Sequence, residues 1–363
     1  MLDWLEISVK ALNKETKAAA LDRQQILTKP AGSLGKMESL AVSLATMQGS
    51  ERPSVDKTFI TVFAADHGIA AEGVSAYPQA VTAQMIANFL AGGAAISVCA
   101  RELGASLEIV NLGAVEPLPH EFIALAESSQ SQFHQVNISN GTLSFLTQQA
   151  MTEEQLVQAM NAGKEAAERA FEQGAQLFIG GEMGIGNTTT ATALACALLN
   201  RPALDIAGPG TGITPEGIKF KAQMIEQAIA FHKAAFYKTE VVNPLAILTC
   251  LGGFEIVALC GAYLRSAQLG LPVLVDGFIC SVAALFAQSL NQECREWMVF
   301  SHQSAEPGHR IILEAMNGEP ILKLEMRLGE GSGAAIAVSL LKTACALHNQ
   351  MATFAEAGVD DKG

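Results

Sequence analysis

The chain has 363 residues, half of them hydrophobic and only 6% aromatic, with 36 acidic against 23 basic side chains and a formal net charge of −13. So much apolar material excludes a disordered chain, and the acidic balance argues against a nucleic-acid partner, whose phosphates need a basic face. Its seven cysteines (Cys99, Cys196, Cys250, Cys260, Cys280, Cys294 and Cys345) include no CxxC pair, so neither a disulfide framework nor a zinc site is indicated and a reducing, cytoplasmic compartment is expected.

The N-terminal MLDWLEISVKALNKETKAAA reads as an amphipathic helix interrupted by charges, not as a signal peptide. The first 50 residues are helical in pattern and are expected to join roughly 335–363 as a small helical domain, leaving 51–334 as a large α/β catalytic domain. Within that part, 58–66, 106–113, 175–182, 272–277 and 319–329 read as strands, and 81–102, 153–173, 188–200, 214–235, 254–268, 279–290 and 333–347 as helices. Alternation of this kind predicts an α/β fold with a parallel sheet wrapped by helices. Runs such as IVNL, LFIG and VLVD have the continuous apolarity of strands buried on both faces. The stretch from about 115 to 152 is polar and turn-rich, a long excursion. The longest apolar run, PVLVDGFICSVAALFA, contains Asp276 and is too short to span a membrane, so no membrane anchor is expected.

Five segments carry candidate chemistry. FAADHGIAAEGVSAYPQAVTAQM (63–85) ends a strand at Asp66-His67 and then offers Ser75, Tyr77, Gln84 and Met85 for a flat, aromatic-friendly pocket with a polar tether. No further His or Asp stands at ligand spacing beside Asp66-His67, so a metal is not expected. In LFIGGEMGIGNTTTATALACALL (177–199) a strand runs into a glycine turn, with Asn187 or Thr188 expected to cap the following helix. Backbone N–H groups and a positive helix end at Gly184, Gly186, Asn187 and Thr188 suit a phosphate or carboxylate. No lysine completes a P-loop here, and Thr189 breaks the dinucleotide fingerprint.

IAGPGTGITPEGIKFK (206–221) is a second such turn, with Gly210, Thr211 and Lys221 as further anion contacts. After a second strand it would lie beside the first turn at the carboxyl edge of the sheet. SHQSAEPGHR (301–310) offers Ser304 to an anion, while His302 and His309 fit structural hydrogen bonds better. MRLGEGSGAAIAV (326–338) sets Glu330 between glycines at a strand end and helix start. A carboxylate there simply stabilises a helix, or, desolvated against neighbours such as Leu328, acts as a general base.

Taken together, LTKPAGSLGKME, AADHGIAAEGVSAYP, GGEMGIGNTTTA, GPGTGI, LGGFE, VLVDGF, HQSAEPGH and MRLGEGSGA resemble the motifs of nicotinate-nucleotide–dimethylbenzimidazole phosphoribosyltransferases, in the family's order from residue 27 to residue 334. The resemblance implies a homodimeric enzyme with a Rossmann-like sheet and a small helical domain drawn from both chain ends. It implies transfer of phosphoribose from nicotinate mononucleotide to 5,6-dimethylbenzimidazole in cobalamin lower-ligand assembly, with no cofactor. By motif position Glu330 matches the general base and Glu182 a second carboxylate of the site. Gly184, Gly210, Lys221 and Ser304 match phosphate contacts; Met183 and Leu328 match apolar contacts to the base, and Gln84 a polar one. Ala31 replaces a more usual Pro, and Pro209 stands where the family often has Arg, so the cation that loop often carries is missing.

The chemistry implied needs little. The leaving ring of nicotinate mononucleotide is already a cationic pyridinium and requires neither acid nor metal. The attacking benzimidazole sheds an N–H proton, which Glu330 would take. Two rival readings share these residues: transfer to another aromatic base, and a non-catalytic sensor of benzimidazoles or nucleotides.

Overall fold

The computed structural model describes residues 2–118, 131–210, 212–236 and 242–360. Seven strands, β1 (Thr58–Ala65), β2 (Ser106–Gly113), β3 (Ser131–Gln135), β4 (Leu177–Met183), β5 (Val273–Val275), β6 (Met298–His302) and β7 (Pro320–Leu322), form one sheet in the order β3-β2-β1-β4-β5-β6-β7. Every pairing is parallel, so each connection must cross a face of the sheet, and helices occupy the crossovers that lie within the described residues. β1 and β5 are buried at every position, as the uninterrupted apolar runs require. The chain builds outward from β1 through β2 to β3, then returns to start β4 on the other side of β1. A topological switch point therefore lies between the carboxyl ends of β1 and β4.

Ahead of the sheet come helices α1 (Lys14–Ile26) and α2 (Lys36–Gln48). Next are α3 (Ala80–Leu90), α4 (Ala95–Leu103), α5 (Glu153–Glu172), α6 (Asn187–Leu199) and α7 (Pro215–Phe236). The rest are α8 (Pro244–Leu251), α9 (Phe254–Leu269), α10 (Phe278–Leu290), α11 (His309–Ala315) and α12 (Ser332–Gln350). α9 packs tightly on α5: a Cβ at Gly163 would stand 1.8 Å from the carbonyl oxygen of Ala258, and one at Gly261 2.4 Å from that of Met160. Small residues at this crossing allow the two backbones to touch.

Five expectations need correction. The N-terminal stretch is not one amphipathic helix: a single 3-10 turn at Asp3–Glu6 is followed by a non-helical link up to α1. Residues 81–102 are not one helix: the chain breaks at Ala91–Ala94, with Gly92 at φ 78°, and α4 restarts behind it. The strand expected over 319–329 stops at Leu322, opposite His302, where β6 also ends. The turn at 208–213 follows a single-turn helix, Ala203–Ile206, not a strand. β3, β6 and α8 fall where no element was expected; β3 is a partly exposed edge strand, and its polar sequence hides it.

The chain ends meet. Leu27 bridges Thr353, and Arg23 donates to the carbonyls of His348, Asn349 and Met351 at 2.6, 3.2 and 3.3 Å. α12 also packs on β4, β6 and α4, so it belongs to the sheet as much as to the terminal helices. Residues 80–103 are apolar and long enough to cross a membrane by composition, yet half of that stretch is buried inside the protein.

Candidate active site

A cavity of about 450 Å³ opens at the switch point. The turns after β4 and β5 contribute Glu182, Met183, Gly184, Asn187 and Thr188, then Asp276 to Cys280. Gly210, His302, Ser304, Glu306 and the segment Met326–Glu330 complete the wall, with Tyr77, Val81 and Met85 on the remaining side.

Glu330 occupies the tightest part of this wall. Gly329, Glu330 and Gly331 have φ of 95°, 65° and 84°, a run of left-handed residues in which only the middle one carries a side chain. Such a conformation in a non-glycine residue is strained and persists where surroundings enforce it. Here β4 enforces it: a Cβ on Gly181 would stand 2.2 Å from the carbonyl oxygen of Glu330, so the turn rests directly on the strand backbone. The Glu330 carboxylate is 5% exposed, and its Oε2 accepts the N–H of Ile96 at 3.3 Å, at the start of α4. Burial pushes its pKa up, the Ile96 bond opposes this, and the nearby Asp276 carboxylate adds to it. The break at Gly92-Gly93 is what brings a helix N-terminus to this carboxylate.

Glu182 lies alongside, 5% exposed, with its carboxylate bonded to Asn187 Nδ2. Burial raises its pKa well above the ordinary carboxylate value, and Glu255, Asp276 and Glu330 raise it further by like charge. Asp276 is 1% exposed and also raised, chiefly by burial, with His302 and three backbone N–H groups acting against it. Its Oδ1 accepts from Ala334 N at 2.8 Å and lies 3.6 Å from His302 Nδ1. This end of the cavity is thus rich in carboxyl groups that give up their protons reluctantly and would favour a cationic guest.

The opposite end is built from turns. α6 begins there behind a left-handed glycine, Gly186 at φ 99°, without a side-chain cap, as α12 does behind Gly331 (φ 84°) at the Glu330 end. Neither Asn187 nor Thr188 is the cap: Asn187 is the first helical residue and turns its amide to Glu182. Gly210 packs against Thr188 and donates its N–H to Glu306 Oε1 at 3.1 Å. Glu306 is raised by burial and drawn back by Lys221 and Arg327. Lys221 is 1% exposed behind both turns, its Nζ donating to Gly208 O at 3.1 Å and Thr188 Oγ1 at 3.3 Å. Burial lowers it to about 8, while Glu306 acts to raise it. Ser304 is held by its backbone N–H donating to His309 Nδ1 at 2.8 Å, a ring that burial keeps neutral with a pKa near 3.

Of the residues singled out from sequence, the cavity wall contains Tyr77, Met85, Glu182, Met183, Gly184, Asn187, Thr188, Gly210, Ser304, Leu328 and Glu330. Lys221 and Gly186 stand behind it, Ser75 and Gln84 lie outside the lining, and Thr211 is outside the described residues. Sequence reading passed over Asp276, Phe278, Ile279, His302, Glu306 and Arg327 as wall residues. VLVDGF, a strand followed by an acid and a glycine, carried the same signal as the GGEMG turn and could have flagged Asp276. Arg327, whose Nη1 donates to Gly210 O at 3.2 Å, sets a cation against that loop.

Residues 9–359 match a family model described as a phosphoribosyltransferase. A nicotinate-nucleotide–dimethylbenzimidazole phosphoribosyltransferase from Pseudomonas putida is 55% identical over 359 residues, covering 99% of this chain and 98% of that protein. The same-named protein of Pseudomonas fluorescens is 56% identical at the same coverage. The crystal structure of CobT from Thermus thermophilus superposes with a TM-score of 0.88 at 41% identity, over 96% of this chain and all of that one. With the sheet order, the carboxylate-walled cavity and this similarity along nearly the whole length, the chain belongs to the nicotinate-nucleotide–dimethylbenzimidazole phosphoribosyltransferase family.

Proposed function

We propose that the protein transfers the phosphoribosyl group of nicotinate mononucleotide to 5,6-dimethylbenzimidazole, releasing nicotinate and forming alpha-ribazole 5′-phosphate for the lower ligand of cobalamin. The observation that carries the reading is the forced left-handed seat of Glu330, which holds a buried carboxylate at a cavity floored by two glycine turns.

In this reading the 5′-phosphate lies against Gly184, Asn187, Thr188, Gly210 and Ser304, with Lys221 supplying charge from behind. The acceptor base slides between Tyr77, Met85, Met183 and Leu328. Tyr77 and Leu328 are 55% and 59% exposed, as expected of a mouth that a flat aromatic ring would cover. The anomeric carbon then faces the carboxyl end. As the benzimidazole nitrogen bonds to it, the opposite N–H becomes acidic, and Glu330 accepts that proton through Oε1, Oε2 being engaged with Ile96. Positioned proton transfer of this kind contributes about 10²–10⁴-fold. The cationic nicotinate ring lowers the pKa of Glu182 as it binds, so an ionised Glu182 supports the positive character that passes to the sugar. Nicotinate leaves as a neutral ring bearing its own carboxylate, and no proton has to be delivered.

We further place the protein in the cytoplasm as a homodimer, with 1–50 and roughly 335–363 as its small helical domain. Incubation with nicotinate mononucleotide and dimethylbenzimidazole should release nicotinate and the riboside phosphate in equal amounts. Binding of both compounds without release would favour a sensor and sink the enzymatic reading; transfer only to another aromatic base would change the acceptor.

A further inference from the structure

Asp66 and His67 close β1 at the switch point, both at 0% exposure, and the chemistry above uses neither. Each begins a hydrogen-bond chain that ends on the Gly184–Asn187 turn or the helix it starts. Asp66 Oδ1 accepts from Thr82 Oγ1 at 2.6 Å, and that same Thr82 oxygen accepts the N–H of Ile185 at 3.1 Å. Asp66 Oδ2 is held by the N–H of Val115 at 2.8 Å. On the other arm His67 Nδ1 lies 2.9 Å from Thr190 Oγ1 in the first turn of α6, and Nε2 lies 2.8 Å from Glu255 Oε1. The imidazole is also a floor. A Cβ on Gly184 would stand 3.0 Å from Nε2, and one on Gly186 3.1 Å from the His67 Cβ.

A buried polar pair that served stability alone would need only satisfied partners. Here both arms converge on one turn, whose residues Gly184 and Ile185 line the cavity on their outer side. Tying the Ile185 N–H inward fixes the Gly184–Ile185 peptide plane, and so restricts the direction of the neighbouring N–H groups. We propose that Asp66 and His67 are positioning residues that set the orientation of the Gly184–Asn187 turn and thereby the affinity for the substrate phosphate; this rests on the reading that the turn holds that phosphate.

Thr82→Val removes the bridging hydroxyl while keeping the side-chain shape. Losing one such bond should raise the KM for nicotinate mononucleotide about five- to tenfold, with kcat and the dimethylbenzimidazole KM within about twofold. Thr82→Ser should restore the nucleotide KM. Thr190→Val and Thr190→Ser repeat the test on the histidine arm, and cover the case in which Thr82→Val does not fold, judged by thermal melting. An unchanged nucleotide KM in a folded Val variant, or a joint shift of kcat and both KM values, overturns the proposal. Calorimetric binding of inorganic phosphate separates it from the assigned reaction. A wild type that binds phosphate without turnover sinks the reaction alone, and positioning then stands if Thr82→Val weakens phosphate and falls if it does not. A wild type that does neither sinks both.

Discussion

The backbone N–H of Glu330 donates to the carbonyl oxygen of Glu182 at 3.3 Å, so the two acids of the site are joined through their main chains. β4 carries one and the Gly329–Gly331 turn the other. Like-charge repulsion between the carboxylates is contained by this tie, and part of it appears as the raised pKa of Glu182. The first expectation follows directly. Glu330→Gln preserves shape and the Ile96 contact but removes the proton acceptor. Its kcat should fall about 10²–10⁴-fold, with nucleotide affinity retained in equilibrium binding; turnover near the wild-type rate would remove Glu330 from the role of base.

The pH dependence of turnover tests the same group. Glu330 is active only when ionised, and burial raises its pKa above 4.5. The acid limb of kcat/KM, which reports the free enzyme, should therefore lie above that value, and it should change in the residual activity of Glu330→Gln, where only Glu182 still has to ionise. A kcat/KM that stays level down to the ordinary glutamate range would contradict the burial argument.

Lys221 titrates in the other direction. Its pKa is lowered to about 8, so in the free enzyme the charge behind the phosphate turns is lost as pH rises through that value. The nucleotide KM should climb above about pH 8 in the wild type. Lys221→Met should show a raised KM at neutral pH and lose this dependence. A Met variant with wild-type KM would leave the lysine as a tie between Gly208 and Thr188 only.

Gly181→Ala adds one methyl group 2.2 Å from the Glu330 carbonyl oxygen. The backbone of Gly181 is not left-handed, so the change tests close approach alone. Overpacking of this kind costs about 1–3 kcal/mol, and it should displace the catalytic turn. A fall in kcat exceeding the loss in nucleotide affinity is the outcome to measure, alongside a lowered Tm.

Arg23→Ala addresses the terminal helices. It removes three hydrogen bonds to carbonyls at the end of α12, groups a helix cannot satisfy internally. Destabilisation of about 1–3 kcal/mol is expected, with both KM values unchanged, measured by denaturant unfolding and steady-state kinetics. Altered KM values at unchanged stability would show that these helices shape the site.

What could be read before folding was whatever depends on local pattern. Apolar runs marked β1, β2, β4 and β5, because strands buried on both faces need uniform side chains. Glycine turns marked the ligand edge, because left-handed backbone needs Gly186 and Gly331. The order of the motifs carried the family. Long-range pairing decided the rest. β7 ends at Leu322, opposite the end of β6 at His302, which no pattern within 319–329 records. Asp276 and Glu306 reach the wall because β5 and β6 follow β4 in the sheet. Gly92-Gly93 fell inside the single helix expected over 81–102; in space it ends α3 and delivers the first N–H groups of α4 to Glu330, more than 230 residues later in the chain. Sequence alone established that a glutamate sits between two glycines. The sheet beneath it and the helix end beside it decided that this carboxylate is buried, held in a left-handed seat and slow to give up its proton.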